Sequence, residues 1–251
     1  MHLTTQALVL RAVNYNDTDS LLTVLTKDHG KLTLKARGLR RKNSPLVAPC
    51  QLLAFGEFTL FEYRGYYTIN EAHTIELFAP LRKDLCKLAL ATYFAQVIEV
   101  LSQEDHQDPE LLSLALNCLH TLSYTNTSEN KVKGVFELRS ACLAGYCPDL
   151  SQCHCCGCEY PDRFDIFEGR LECTACRGLS DGGIRMPITP GVLDAMRYIC
   201  YCDSKRIFAF DAGRETLETL SQISEGYIST QLERGFSALD FYKSLAEPLY
   251  P

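Results

Sequence analysis

The sequence predicts an α+β protein in which a small β-barrel is followed by helices and a cysteine-rich insertion. Three observations support this prediction. Short alternating stretches bounded by turn residues fill the first eighty positions, apolar residues then recur at helical spacing, and two C-x-x-C pairs occur between residues 153 and 176. We expect residues 1–80 to form the barrel domain, residues 81–150 and 179–251 a helical domain, and residues 151–178 the insertion.

Five strands are predicted in the first eighty residues, at residues 6–13, 20–26, 31–37, 52–63 and 66–76. In the third strand apolar and polar residues alternate strictly, so Leu32, Leu34 and Ala36 are expected to face the core and the cationic residues to face outward. Five short antiparallel strands suit a closed barrel. The OB-fold is the five-stranded barrel that binds oligonucleotides on one face.

The charge distribution indicates a local basic patch that the net charge of −6 conceals. Residues 1–80 hold nine Lys/Arg and seven Asp/Glu, a net charge of +2. Six cations and no acid lie between positions 31 and 42, namely Lys31, Lys35, Arg37, Arg40, Arg41 and Lys42. A cationic strand face that continues into an exposed loop is accessible to phosphates, so we predict that these six residues bind DNA.

Aromatic residues near these cations are candidates for base stacking: Tyr15, Phe61, Tyr63, Tyr66 and Tyr67. For each ring, the alternative expectation is that it fills the barrel interior, and we expect this of most of them.

After residue 80 the apolar period becomes helical, and helices are predicted at residues 83–101, 109–122, 126–143, 190–200, 211–229 and 238–245. Asp108 before Pro109 and Thr189 before Pro190 are N-cap signals, and Asn126 with Glu129 is typical of a capping arrangement.

The cysteine pairs predict a structural zinc site. Cys153 and Cys156 are separated by sixteen residues from Cys173 and Cys176, and C-x-x-C pairs at such a separation are typical of four-thiolate zinc sites. Cys155 and Cys158 form a competing C-x-x-C. We select Cys153 and Cys156 because Gly157, directly after the second thiolate, allows a sharp turn.

The seven other cysteines are expected to be small buried apolar residues: Cys50, Cys86, Cys118, Cys142, Cys147, Cys200 and Cys202.

An enzymatic function is not expected. Residues 178–182 form a G-x-S-x-G, but a cysteine pair precedes them and a proline follows, which is not the strand–turn–helix setting of a nucleophile elbow. The chain contains no P-loop and no H-E-x-x-H motif, and four thiolates close the coordination shell of a zinc ion. The sequence shows no secretory leader and no apolar run of about 20 residues, so we expect a cytoplasmic protein without a membrane partner.

Several segments together resemble the RecO family of bacterial DNA repair proteins. These are Leu10-Arg11, residues 15–19, Leu25-Thr26, Gly30-Lys31, residues 35–38 and 44–46, both cysteine pairs, and residues 236–241. The resemblance implies binding of single- and double-stranded DNA, strand annealing, and assistance to RecA loading together with RecR and single-strand-binding protein, with association to the nucleoid. It implies DNA contacts at Lys35, Arg37, Arg40 and Arg41, with Lys31 and Lys42 as neighbours. It also implies zinc ligands at Cys153, Cys156, Cys173 and Cys176, with a structural role for the metal.

An alternative from another class remains open. The protein could be a zinc-ribbon scaffold that binds other proteins and not DNA, its basic barrel serving an acidic partner.

Overall fold

A closed barrel of five strands begins the chain in the computed structural model, which describes residues 2–176 and 183–246. The barrel strands are β1 (His2–Asn14), β2 (Ser20–Thr26), β3 (Lys31–Ala36), β4 (Phe55–Tyr63) and β5 (Tyr66–Glu76). The order around the barrel is β1-β2-β3-β5-β4. All neighbours are antiparallel except β3 and β5, whose parallel pairing completes the ring.

The first strand is longer than predicted because it pairs with two neighbours in succession. Residues 2–8 pair with β4, and residues 7–14 pair with β2, with a register shift between Val9 and Arg11. In β3 the predicted alternation is confirmed, with Leu32, Leu34 and Ala36 buried. Side chains from all five strands fill the interior, including Ala7, Val9, Leu22, Val24, Leu34, Phe58, Leu60 and Ile69.

The remaining elements in the described residues are six α-helices, three short 3-10 helices and four short strands. The helices are α1 (Leu85–Leu101), α2 (Pro109–Tyr124), α3 (Glu129–Leu143), α4 (Pro190–Tyr201), α5 (Arg214–Gln231) and α6 (Ser237–Ala246). The strands are β6 (Asp149–Cys153), β7 (Arg163–Asp165), β8 (Arg170–Glu172) and β9 (Arg185–Pro187), in the sheet order β6-β8-β7-β9.

The predicted helix starts are confirmed where a side chain caps the first turn. The carboxylate of Asp108 accepts the N–H of Leu111 at 2.9 Å, and the hydroxyl of Thr189 accepts the N–H of Val192 at 3.4 Å. The predicted Asn126 cap is wrong: α3 begins after Ser128, whose side chain makes no capping hydrogen bond.

The chain forms two compact units, Met1–Thr125 with Phe236–Pro251, and Asn126–Gly235. In the first unit α1 contacts β1 and β2, and Glu99 of α1 pairs with Arg11 at 3.0 Å. The closing helix α6 packs on α1, where the ring of Phe236 meets that of Tyr93 edge to face at 5.4 Å. The helices of the predicted helical domain are thus divided, α1, α2 and α6 sharing a unit with the barrel.

In the second unit α3 packs against both α4 and α5. The small sheet contacts the same helical group, since the ring of Phe164 in β7 meets that of Tyr227 in α5 at 5.4 Å. Within the described residues, no helix combines the length and the hydropathy that a bilayer crossing requires.

Candidate functional site

A groove of about 620 Å³ opens on the barrel surface between β3, β5 and the β1–β2 turn. Both polar and aromatic side chains line it: Tyr15, Leu21, Thr33, Lys35, Arg37, Phe61, Tyr63, Tyr66, Tyr67, Thr68 and Glu104. All five aromatic residues that the sequence offered as stacking candidates therefore meet in one place.

These rings do not fill the barrel, and the sequence expectation that most of them would do so is wrong. Tyr66 is 79% exposed, Tyr15 59%, Tyr63 58% and Phe61 40%. Only Tyr67 is partly buried against the barrel core. The outward positions are free for aromatic residues because smaller aliphatic side chains, with Phe58, already occupy the interior.

Two of the six predicted cations line the groove. Lys35 lies over the ring of Tyr15, with its Nζ 5.0 Å from the ring centroid, and Arg37 is exposed. The same Nζ also lies 3.4 Å from a carboxylate oxygen of Asp19, so part of the charge of Lys35 is balanced within the protein.

Three further cations follow β3 in an exposed loop, Arg40, Arg41 and Lys42. Arg40 attaches this loop to the β1–β2 turn, because its guanidinium donates to the carbonyl of Asn16 at 2.9 Å and its backbone N–H donates to Thr18 at 3.0 Å. Lys31, the sixth cation, does not line the groove. Its Nζ donates to the backbone carbonyl of Glu99 in α1 at 2.8 Å.

Asp19 connects the turn and the loop, a role that the sequence reasoning missed. Its carboxylate accepts the N–H of Gly38 at 2.9 Å, besides contacting Lys35 and the side chain of Asn16. The Gly38 hydrogen bond, aided by Asn16, Thr18 and Lys35, lowers the pKa of Asp19 to about 2 against the opposing effect of burial. The available signal was the spacing of Asn16 and Asp19, which is typical of a side-chain-stabilised turn.

The four selected cysteines converge in the second unit. The sulfur atoms of Cys153, Cys156, Cys173 and Cys176 all lie within 4.8 Å of one another. The Sγ atoms of Cys153 and Cys176 are 4.0 Å apart, and those of Cys156 and Cys173 are 3.8 Å apart. A tetrahedral ion with metal–sulfur bonds of about 2.3 Å requires sulfur–sulfur edges of about 3.8 Å, so this set fits a zinc-sized ion.

Backbone geometry explains why these four sulfurs meet. Gly157 adopts φ +75°, and its N–H donates to the carbonyl of Cys153 at 2.9 Å, which closes the first turn. Burial raises the pKa of Cys153, but the N–H groups of Cys156, Cys155 and Cys173 and the thiol of Cys156 together outweigh it and lower that pKa to about 6. Such N–H groups favour the thiolate that a metal binds.

The competing cysteines, Cys155 and Cys158, are exposed and do not belong to the four-cysteine cluster. His154 is exposed as well. The G-x-S-x-G at residues 178–182 lies outside the described residues.

Comparisons with known proteins place the chain in one family over nearly its whole length. The family model "Recombination protein O N terminal" matches residues 1–78, and "Recombination protein O C terminal" matches residues 82–240. The chain is 33% identical to the DNA repair protein RecO of Acetivibrio thermocellus over 246 residues, which covers 97% of each protein. It is 29% identical to that of Alkaliphilus metalliredigens over 98% of this chain and 100% of the relative, and 31% identical to that of Heliobacterium modesticaldum over 97% and 90%.

Proposed function

The chain belongs to the RecO family, and from this premise we propose that it is a DNA-binding protein of recombinational DNA repair. In this proposal it binds single- and double-stranded DNA, anneals complementary strands and, with RecR, helps RecA to replace single-strand-binding protein. It acts at the nucleoid in the cytoplasm and catalyses no covalent chemistry.

We assign the barrel to the OB-fold. Its closed order β1-β2-β3-β5-β4 with one parallel pair, β3 with β5, supports this assignment. OB-folds bind oligonucleotides on the face formed around their second and third strands and adjoining loops. Here β3 and the β1–β2 turn border the groove, so the groove lies where an OB-fold ligand is expected.

The observation that carries the proposal is the meeting of exposed rings and cations in one groove. Stacking of a base on an aromatic side chain contributes about 1–3 kcal/mol and tolerates any sequence, because every base has a π-face. Lys35 and Arg37 lie among the rings, and Arg41 and Lys42 extend the cationic surface into the loop. Bases can therefore stack in the groove while the backbone follows the cations.

The cations differ in how much of their charge they offer to phosphate. Lys35 shares its charge with Asp19, whereas no ion pair of Arg37, Arg41 or Lys42 occurs within the part of the chain that the structure describes. Arg40 and Lys31 donate to backbone carbonyls, so part of their role is to hold the loop and α1. We therefore expect Arg37 and Arg41 to contribute most to DNA affinity.

Zinc is the metal that we propose for the four-cysteine cluster. Cys153, Cys156, Cys173 and Cys176 would supply four thiolates, a set that closes the shell and leaves no position for a substrate. When bound, the ion would supply folding free energy to a segment whose strands β6, β7 and β8 have only three to five residues each.

Annealing follows from the same surface without a catalytic group. Neutralising phosphates reduces the repulsion between two backbones, and a base stacked in an open groove keeps its pairing edge accessible. Handing DNA to RecA requires contacts with RecR and single-strand-binding protein, which we propose from family membership.

The test is binding of a fluorescent single-stranded oligonucleotide at several salt concentrations. Replacing Arg37 and Arg41 together by Gln should weaken binding and reduce the slope of log K against log salt by about 1.4, since each lost single-strand phosphate contact contributes about 0.7. Lys83→Gln removes an exposed cation of the same unit that does not line the groove, and should leave the slope unchanged.

A second variant separates stacking from charge. Tyr66→Ala should weaken binding by about 1–3 kcal/mol without changing the salt slope, whereas Tyr160→Ala, which removes an exposed ring of the other unit, should have no effect. Unchanged affinity and slope in both groove variants would contradict the proposal and favour the protein-binding scaffold. In that alternative, replacing Arg37 and Arg41 by Gln should weaken the binding of an acidic protein partner.

A further inference from the structure

A second group of thiols lies in the same unit as the four-cysteine cluster but shares no residue with it. The sulfur atoms of Cys142, Cys147 and Cys200 all lie within 4.8 Å of one another, and those of Cys142 and Cys147 are 3.4 Å apart. The prediction of small buried apolar residues at these positions is confirmed for Cys200 but is wrong for Cys147, which is exposed, and Cys142 is only half-buried. The meeting of the three thiols was not predicted. We call this set the three-thiol cluster.

The end of α3 brings two of these thiols together. Gly145 adopts φ +89° just beyond the helix, and the next N–H, that of Tyr146, donates back to Ala141 at 2.8 Å. This reversal returns the chain over the last helical turn, so Cys147 meets Cys142. Glycine is favoured there by the positive φ alone, because a Cβ at this position would meet nothing within 4 Å.

Two tyrosines hold the returning segment in place. The hydroxyl of Tyr227 in α5 donates to the carbonyl of Tyr146 at 3.0 Å, and the hydroxyl of Tyr201 in α4 donates to that of Pro148 at 3.3 Å. The backbone on both sides of Cys147 is therefore attached to neighbouring helices. The cluster is positioned by the fold before any ligand arrives.

The third thiol comes from α4. Cys200 is the penultimate residue of α4, as Cys142 is of α3, so the carboxyl ends of two helices meet at the cluster. Helix carboxyl ends carry partial negative charge, which disfavours bare thiolates and favours a cation. Arg139 compensates part of this negative charge, because its guanidinium donates to the carbonyls of Ile199 at 3.2 Å and Cys200 at 2.8 Å.

We propose that the three-thiol cluster is a second metal site of this protein, which takes a soft divalent ion of the zinc class. Three thiolates select soft ions. With a divalent ion they sum to one negative charge, which the neighbouring Arg139 balances. Their mutual distances span the edge of about 3.8 Å that metal–sulfur bonds of about 2.3 Å require.

Exposure differs across the cluster and defines an open side. Cys200 is buried, Cys142 is half-buried and Cys147 is exposed. An ion can enter past Cys147 and keep one coordination position toward solvent, unlike the closed shell of four thiolates. This site is therefore expected to exchange its metal more readily than the four-cysteine centre.

Metal stoichiometry of the full-length protein tests the proposal. Protein purified without oxygen and with a non-thiol reductant is dialysed against zinc, and bound metal is counted. Wild type should hold about two equivalents, and Cys147→Ser and Cys156→Ser about one each, because each variant opens a different site. Cys202→Ser, which alters a neighbouring cysteine outside both clusters, should hold about two.

Titration with cadmium gives a measurement that is independent of the metal count. The thiolate-to-cadmium charge-transfer absorption appears only when sulfur atoms bind the ion. Cys147→Ser should lose the later, weaker step of the titration and keep the first, and its circular dichroism should match wild type since Cys147 is exposed. A single wild-type equivalent that Cys147→Ser retains and Cys156→Ser loses would overturn the proposal, as would a second equivalent that persists in Cys147→Ser. Alkylation mass spectrometry that finds a disulfide between Cys142 and Cys147 under the same reducing conditions would overturn it too.

Discussion

Lys133 provides a stringent test of how the second unit is held together. Its side chain on α3 is only 3% exposed, and its Nζ lies 3.2 Å from the carboxylate of Glu137 and 2.9 Å from that of Glu225. It also donates to the carbonyl of Ser221 on α5 at 2.9 Å. One ammonium group therefore joins two helices and neutralises Glu137, whose side chain is 0% exposed.

Replacing Lys133 by Met keeps the apolar stem and removes the charge. Glu137 then retains the hydroxyl of Ser224, which donates at 2.6 Å, but loses its cation. Removing one partner of a buried ion pair costs about 3–5 kcal/mol, because the remaining charge stays desolvated. Lys133→Met should therefore lower the unfolding free energy of this unit by that amount.

The double variant Lys133→Met with Glu137→Leu distinguishes two effects, the loss of the ion pair itself and the burial of the Glu137 carboxylate without its cation. Replacing a whole buried pair by apolar residues is often close to neutral, so the double variant should recover at least half of the loss. Arg214→Met breaks an exposed pair with Glu218 at the same i,i+4 spacing, and should give no measurable change.

The assay is urea unfolding, with hydrogen exchange of peptides from α3 and α5 to localise the effect. An unfolding free energy of Lys133→Met within about 1 kcal/mol of the wild-type value would refute the reasoning. Removing the cation from a buried carboxylate is expected to destabilise the fold by more than that. A double variant as unstable as the single one would show that packing, and not charge, holds the helices.

Three other predictions concern the four-cysteine cluster, Asp19 and Gly30. Cys173→Ser should release the proposed zinc and increase protease sensitivity of the second unit, whereas Cys155→Ser should retain the metal; the reverse result in metal analysis would mean a different ligand set. The folded state lowers the pKa of Asp19 from 3.8 to about 2, so its contribution to stability is present above pH 3.8 and is lost as pH falls toward 2. Urea unfolding of Asp19→Asn should accordingly depend less on pH in that window, and an unaltered pH profile would contradict this. Gly30→Ala should cost at least about 2 kcal/mol in thermal unfolding, because φ is +66° and a Cβ would meet the carbonyl oxygen of His106; a change below about 0.5 kcal/mol would show that the turn relaxes.

Local patterns predicted the elements whose formation depends on neighbours in sequence. The alternation of residues 31–37 predicted both β3 and its buried face, and the Asp108 and Thr189 caps predicted where α2 and α4 begin. The short strands β6, β7, β8 and β9 were not predicted. Three residues such as those of β7 and β8 are too few to show a period, and these strands form through their pairing with each other.

For the groove on the barrel, the sequence predicted which residues take part better than it predicted how they are arranged. The cations and rings were identified by type, but the sequence could not distinguish Lys35, which lines the groove, from Lys31, which donates to a helix carbonyl. Both occupy outward positions of one strand. Which of them meets a groove depends on where α1 packs, and α1 is more than forty residues away in the chain.

By itself the sequence determined the class of fold and the family, and it predicted two sets of side chains, the cations proposed to bind phosphate and the thiols proposed to bind a metal, because residue type and short spacing carry that information. Only the tertiary structure decided that the rings of Tyr15 and Tyr66 stand outside the barrel, and that Cys200 joins two cysteines more than fifty residues earlier. The physical reason is that exposure and proximity follow from which surfaces pack together. A thiol or a ring has the same local pattern whether the fold buries it, exposes it or brings it to a partner.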